Sequence, residues 1–297
     1  MSTGAAPGYV ELPLMIDCAG ETLAGIVSQP RHLAAETAAS KIGVVILVGG
    51  PQYRAGSHRQ FVLLARYLAG CGYAVLRFDR SGTGDASGVP VPFDQAGGDV
   101  AAAVAELRRA APQVQQVVLW GLCDGASAAL LYWQQTRDPA IAGLALVNPW
   151  VRSATTLART RVKHYYLKRL GQKEFWRKLF AGDVARLQAA RELAGSMAGA
   201  VRRDQGGDNT ASWRDAMAHA LDEYPGDLLL ILSGQDYTAR EFVEWLSSVA
   251  RLRRFGTRAR LTRRDLPEAD HTFSTAVLRA EVERATLAWL DNIRARA

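Results

Sequence analysis

QQVVLWGLCDGASAALLYWQQ, residues 115–135, changes its hydrophobic period half-way along. QQVVLWG (115–121) is a β-branched apolar run and predicts a strand, whereas ASAALLYWQQ (126–135) has helical composition and spacing. Between them stands Gly121-Leu122-Cys123-Asp124-Gly125. A nucleophile at a strand-to-helix junction sits in a sharp, strained turn, and small residues two positions either side let strand and helix approach closely. Gly121 and Gly125 are those neighbours, so the nucleophile position falls to Cys123, where serine is usual. A thiol is more acidic and polarizable than a hydroxyl, and a helix N-terminus or a partner histidine favours its thiolate. The bland alternative for a lone cysteine is a small buried hydrophobe. Cys18 and Cys71 take that reading, because no motif surrounds them.

Outward from this junction the same alternation recurs. YVELPLMID, CAG and ETLAGIVSQP (9–30) predict a β-hairpin turning near Gly20. The run IGVVILVGG (42–50) is followed by the helical spacing of QFVLLARYLAGCG (60–72), then by YAVLRFD (73–79) and a helix from Asp94 to Ala110. Beyond the junction come IAGLALVNP (141–149), DLLLILSG (227–234), a helix over Arg240–Leu252, RARLTRRDL (258–266) and a terminal helix from Ser274. Strands apolar on both faces and separated by helices predict an α/β fold, a mostly parallel central sheet covered on both sides. From 150 to 224 the rhythm stops and helical patterns replace it. The expected organisation is therefore a core in two parts, 1–149 and 225–297, with a helical cap inserted at 150–224. In that insert Tyr165, Tyr166, Phe175, Trp176, Leu179 and Phe180 form an aromatic stripe, read as the cap's packing face.

The chain has 297 residues, 48% hydrophobic and 22% charged, which excludes a disordered or collagen-like protein. Three cysteines some fifty residues apart fit neither an extracellular disulfide framework nor a zinc motif, so neither metal nor cofactor is expected. No basic start with an apolar run opens the chain, and no apolar stretch reaches the ~18–20 residues of a membrane span. A cytoplasmic location and no transmembrane segment are the corresponding expectations. The formal charge of +7 lies in residues 151–222, with fourteen Lys and Arg against seven Asp and Glu, so that the remainder is formally neutral. A basic cap points to an anionic substrate, such as an acyl carrier or acidic saccharide, rather than to nucleic acid, for which no motif is present.

A nucleophile of this kind needs a base, and a third group that holds the base in the right tautomer. Of the five histidines, His271 alone follows the last predicted strand, in PEADHTFS. Asp236 directly follows LLLILSG and is the candidate acid; its alternative role is the N-cap of the next helix. Oxyanion donors are expected at the backbone N–H of Asp124 and in the loop Gly49-Gly50-Pro51-Gln52. Pro51 has no N–H, which leaves Gly50, with Gln52 as an extra donor. Gln52, Arg54, His58 and Trp150 are candidates for lining a substrate pocket; Arg54 and His58 fit equally well as loop fasteners, and Trp150 as core.

Taken together, these residues resemble the α/β-hydrolase superfamily over nearly the whole chain, with nucleophile, acid and base in its order. DRSGTGDASG (79–88) resembles that superfamily's D-x-R-G-x-G-x-S loop, with Ser81 at a position where glycine or arginine is commoner. More narrowly, GGPQYRAGSHRQFVLLARYL, VVLWGLCDGASAALLY, LVNPWVRS and HYYLKRL resemble the exosortase A system-associated hydrolase 1 family. The resemblance implies a bacterial hydrolase linked to exopolysaccharide and PEP-CTERM protein-sorting systems, without fixing its substrate. The expected activity is cleavage or transfer of an ester- or thioester-linked acyl group, free or on a carrier, through acyl-Cys123. The competing expectation is a non-catalytic binding or scaffold protein that keeps the fold.

Overall fold

The computed structural model describes residues 8–31, 40–50, 52–152 and 209–296. The aromatic stripe and most of the expected cap lie outside these residues. Internal contacts divide the chain into two units, Met1–Trp150 with Ala216–Ala297, and Val151–Asp215.

The hairpin forms between β1 (Tyr9–Cys18) and β2 (Glu21–Pro30). Its two-residue turn has φ 53° at Ala19 and 90° at Gly20, the left-handed pair that matches the twist of the flanking strands. The α/β alternation then runs β3 (Ile42–Leu47), α1 (Gln60–Gly70), β4 (Ala74–Phe78), α2 (Gly97–Ala110), β5 (Gln116–Leu122), α3 (Asp124–Thr136) and β6 (Ile141–Val147). It resumes with α4 (Asn209–Glu223), β7 (Asp227–Ser233), α5 (Tyr237–Ser248), β8 (Leu261–Leu266) and α6 (Ala276–Arg294).

All eight strands share one sheet in the order β1-β2-β4-β3-β5-β6-β7-β8. β1 and β2 are antiparallel additions, and from β4 to β8 every pairing is parallel. Every residue of β3, β4 and β7 is buried, which is why those segments are apolar without alternation. Across one face Phe61 of α1 meets Trp120 of β5 edge-on at 5.9 Å, and the Trp120 indole N–H donates to Thr286 Oγ1 of α6 at 3.2 Å. The chain leaves β3 towards β4 on one side and returns to β5 on the other. Sheets of this kind bind ligands beyond the carboxyl ends of the strands at such a reversal, here β3 and β5.

Several boundaries differ from the sequence reading; the helix read to Leu252 ends at Ser248, the terminal helix begins at Ala276 rather than Ser274, and three others have a visible cause. α2 begins at Gly97, because Phe93–Gln95 form a separate 3-10 turn. α5 begins at Tyr237 rather than Arg240, because the Asp236 carboxylate accepts the N–H groups of Thr238 (3.0 Å) and Ala239 (3.2 Å) and starts the helix earlier. β8 begins at Leu261 rather than Arg258: Arg258 donates through its guanidinium to the carbonyl oxygens of Leu221 and Asp222, at 2.6 and 2.7 Å. Arg263, Arg264 and Asp265 of this edge strand are exposed, and such charges disfavour edge-to-edge pairing. Among the described residues no helix is long and apolar enough to cross a membrane.

Candidate active site

Cys123 has φ 60° and ψ −124°, a conformation costly for any residue with a Cβ. Its neighbours hold it there. The Cys123 N–H donates to Val147 O at 2.9 Å, and its carbonyl accepts the N–H groups of Ala126 (3.1 Å) and Trp150 (3.2 Å). Ser127 Oγ in turn donates to Trp150 O at 2.6 Å. The turn closes only because its flanks lack side chains: a Cβ on Gly121 would lie 2.4 Å from Gly125 O, and one on Gly125 would lie 2.3 Å from Leu47 O.

Two neighbouring strand ends supply the other groups. β7 and β8 are in parallel register with Ser233 opposite Leu266. Beyond them, Gly234 N–H donates to Leu266 O and Gln235 N–H to Ala269 O, both at 2.9 Å. These bonds bring the Asp236 and His271 loops side by side. His271 Nδ1 lies 2.8 Å from Asp236 Oδ2, with the carboxylate almost buried and the imidazole 31% exposed. Helix capping and contact with His271 are thus both done by one carboxylate. Burial alone would lower the His271 pKa, but hydrogen bonds to Asp236 and to the Cys123 side chain, with their charges, push it up to about 10.

Just beyond β3, Gly50 has φ 61°, and its N–H donates to Asp124 Oδ1 at 2.5 Å. The expected oxyanion donor therefore has an internal carboxylate as its acceptor. Arg80 Nη2 stands 3.8 Å from Asp124 Oδ2 and 3.4 Å from Gly50 O.

Residues 39–214 match the family model for serine aminopeptidase, S33. The chain belongs to this S33 family of hydrolases. It carries cysteine, not serine, in the elbow. Among solved structures it is similar to an esterase from Pyrococcus furiosus, at 17% identity over 99% of this chain and 96% of that one (TM-score 0.62). It is also similar to Est1E from Butyrivibrio proteoclasticus with ferulic acid bound, at 17% identity over 95% and 99% of the two chains (TM-score 0.62). A third is a proline iminopeptidase-related protein from Thermus thermophilus, at 20% identity over 97% and 100% (TM-score 0.58). At these identities the likeness shows the α/β-hydrolase fold. No curated protein sequence matches the chain.

In this S33 hydrolase the remaining candidates separate by what holds them. Arg54 donates through its backbone N–H to Asp79 Oδ1 at 2.5 Å and through its guanidinium to Asp79 Oδ2, and also to Asp85 at 2.6 Å. Asp79 is fully buried, so Arg54 fastens the loop after β3 to the 79–88 loop. Gln52 Oε1 accepts the Ser57 N–H at 3.1 Å. His58 is exposed at φ 53°, and Trp150, partly buried, is tied to the elbow through its backbone. Pro51 lies outside the described residues.

Asn148 escaped the sequence reading. It is fully buried at φ 44°; its Nδ2 donates to Ser233 Oγ (2.9 Å) and His271 O (3.3 Å), and its Oδ1 accepts the Ser233 N–H (2.9 Å). One amide thus joins the ends of β6 and β7 to the histidine loop. Its signal was the Asn-Pro that closes LVNP (146–149), a polar residue at the end of a buried strand.

Proposed function

We propose that this S33-family hydrolase cleaves ester or thioester bonds through an acyl-Cys123 intermediate, with His271 as proton carrier and Asp236 as its orienting group. The supporting observation is the His271 ring bonded at Nδ1 to Asp236 at 2.8 Å, with Cys123 at a strained elbow among the groups that raise the ring's pKa. His271, whose pKa is pushed up to about 10, already holds the proton, and the Cys123 sulfur adds to the substrate carbonyl carbon. A C–S bond forms while the carbonyl π pair moves to oxygen, which the Gly50 and Asp124 N–H groups receive. Collapse breaks the bond to the leaving group, which departs with the His271 proton. Water, or another acyl acceptor, then gives a proton to His271, adds to the thioester and releases the acyl group and the thiolate. The similar fold from Pyrococcus furiosus is an esterase, which supports the ester reading.

The basic balance of residues 151–222 supports a substrate that is anionic or borne on an acidic carrier. The four sequence blocks that resemble exosortase-associated hydrolases support a place beside exopolysaccharide and PEP-CTERM sorting machinery.

The test is labelling by a thiol-directed acyl probe together with turnover of p-nitrophenyl and acyl-thioester substrates. Wild-type protein labels at Cys123 and turns over; Cys123→Ala loses both. Labelling that persists in Cys123→Ala would overturn the reading, and a wild-type protein inert on every substrate class would favour a scaffold.

A further inference from the structure

We propose that the Asp124 carboxylate is a specificity-determining occupant of the oxyanion site, which holds the Gly50 N–H until a substrate with enough other contacts displaces it. The inference rests on the acyl-cysteine reading above.

Gly50 N–H has one proton to donate, and Asp124 Oδ1 takes it at 2.5 Å. One of the two donors assigned to the reaction's oxyanion thus serves an anion already built into the chain. There is no slack beside it: a Cβ on Gly49 would lie 2.8 Å from Asp124 Oδ1 and 2.2 Å from Leu122 O. A substrate carbonyl oxygen and this carboxylate oxygen cannot both sit on the Gly50 N–H.

The carboxylate has somewhere to go. Arg80, 7% exposed, places Nη2 at 3.8 Å from Asp124 Oδ2, beyond hydrogen-bond reach, and its Nη1 is buried with no partner among the described residues. A buried cation with an unused N–H is a ready receiver for a carboxylate that has left the Gly50 N–H. Burial raises the Asp124 pKa, while Arg80 and the three backbone N–H groups lower it, so the side chain is held between competing partners. Substrates that bring binding contacts of their own displace it, and short activated esters do so poorly. That is specificity by induced fit at a single side chain.

The test compares the full chain with Asp124→Ala and Asp124→Asn, using butanal and iodoacetamide. Butanal adds reversibly to the Cys123 sulfur: a C–S bond forms, the carbonyl π pair moves to oxygen, and that oxygen needs the Gly50 N–H before His271 protonates it. Iodoacetamide forms a C–S bond with loss of iodide and needs no oxyanion donor. Asp124→Ala is expected to bind butanal at least 10-fold more tightly and to raise kcat/KM for a short acyl thioester at least 10-fold, with the isosteric Asp124→Asn between it and wild type. Butanal affinity unchanged or weakened in both variants, with Cys123 still alkylated by iodoacetamide, would overturn the occupant role alone. Wild-type Cys123 that resists iodoacetamide would overturn the acyl-cysteine reading itself.

Discussion

At Cys123 a single residue concentrates the local cost of the site: a left-handed φ on a residue with a side chain, held by its own N–H donating to Val147 O of β6 and by the Ala126 and Trp150 N–H groups on its carbonyl. The same residue governs its neighbour's charge. Cys123 and Asp236 both favour the protonated His271 ring against its burial, which places its titration near 10. Removing a group that favours the cation lowers its pKa, so Cys123→Ala should move the His271 titration downwards, read from the imidazole proton shifts against pH. An unmoved midpoint would mean that the sulfur does not contact the ring. By the same sign, the proton that His271 gives to the leaving group is lost only as the pH passes about 10, so kcat/KM should hold through neutral pH and fall there.

At the scale of elements, the junction of β5 and α3 depends on absent side chains. The Cβ of Gly125→Ala would meet Leu47 O at 2.3 Å, backbone that cannot rotate away. Overpacking of this kind costs about 1–3 kcal/mol or more. A denaturant midpoint for Gly125→Ala within experimental error of wild type would mean that β3 and the elbow can part without cost. This closeness was legible as G-x-C-x-G in the sequence, since only glycines fit where helix and strand backbones touch. The early start of α5 was less legible. An aspartate after a strand reads equally as a cap or as an acid, and here its two oxygens serve Thr238, Ala239 and His271 together.

Over the whole molecule, charge is uneven: residues 151–222 carry fourteen basic against seven acidic residues, and the rest balance. Exposed charges act over about 10 Å at 0.1 M salt and about 3 Å at 1 M. If this excess draws an anionic substrate, kcat/KM on an anionic thioester should fall roughly tenfold over that range. A neutral ester of equal length should barely change; equal salt dependence of the two would reduce the charge to an aid to solubility. The sequence by itself determined the sheet, the elbow and the chain order of Cys123, Asp236 and His271, because hydrophobic period and glycine spacing are local and are printed in the residues. Contacts across the sheet were decided by tertiary structure alone. Asn148 bridging to Ser233 and His271, Arg54 turned to Asp79, and Asp124 seated on Gly50 join residues from 25 to 123 positions apart. No local pattern encodes such pairs. They follow from which strand ends the sheet order sets side by side, and from the need of each buried polar group for a partner.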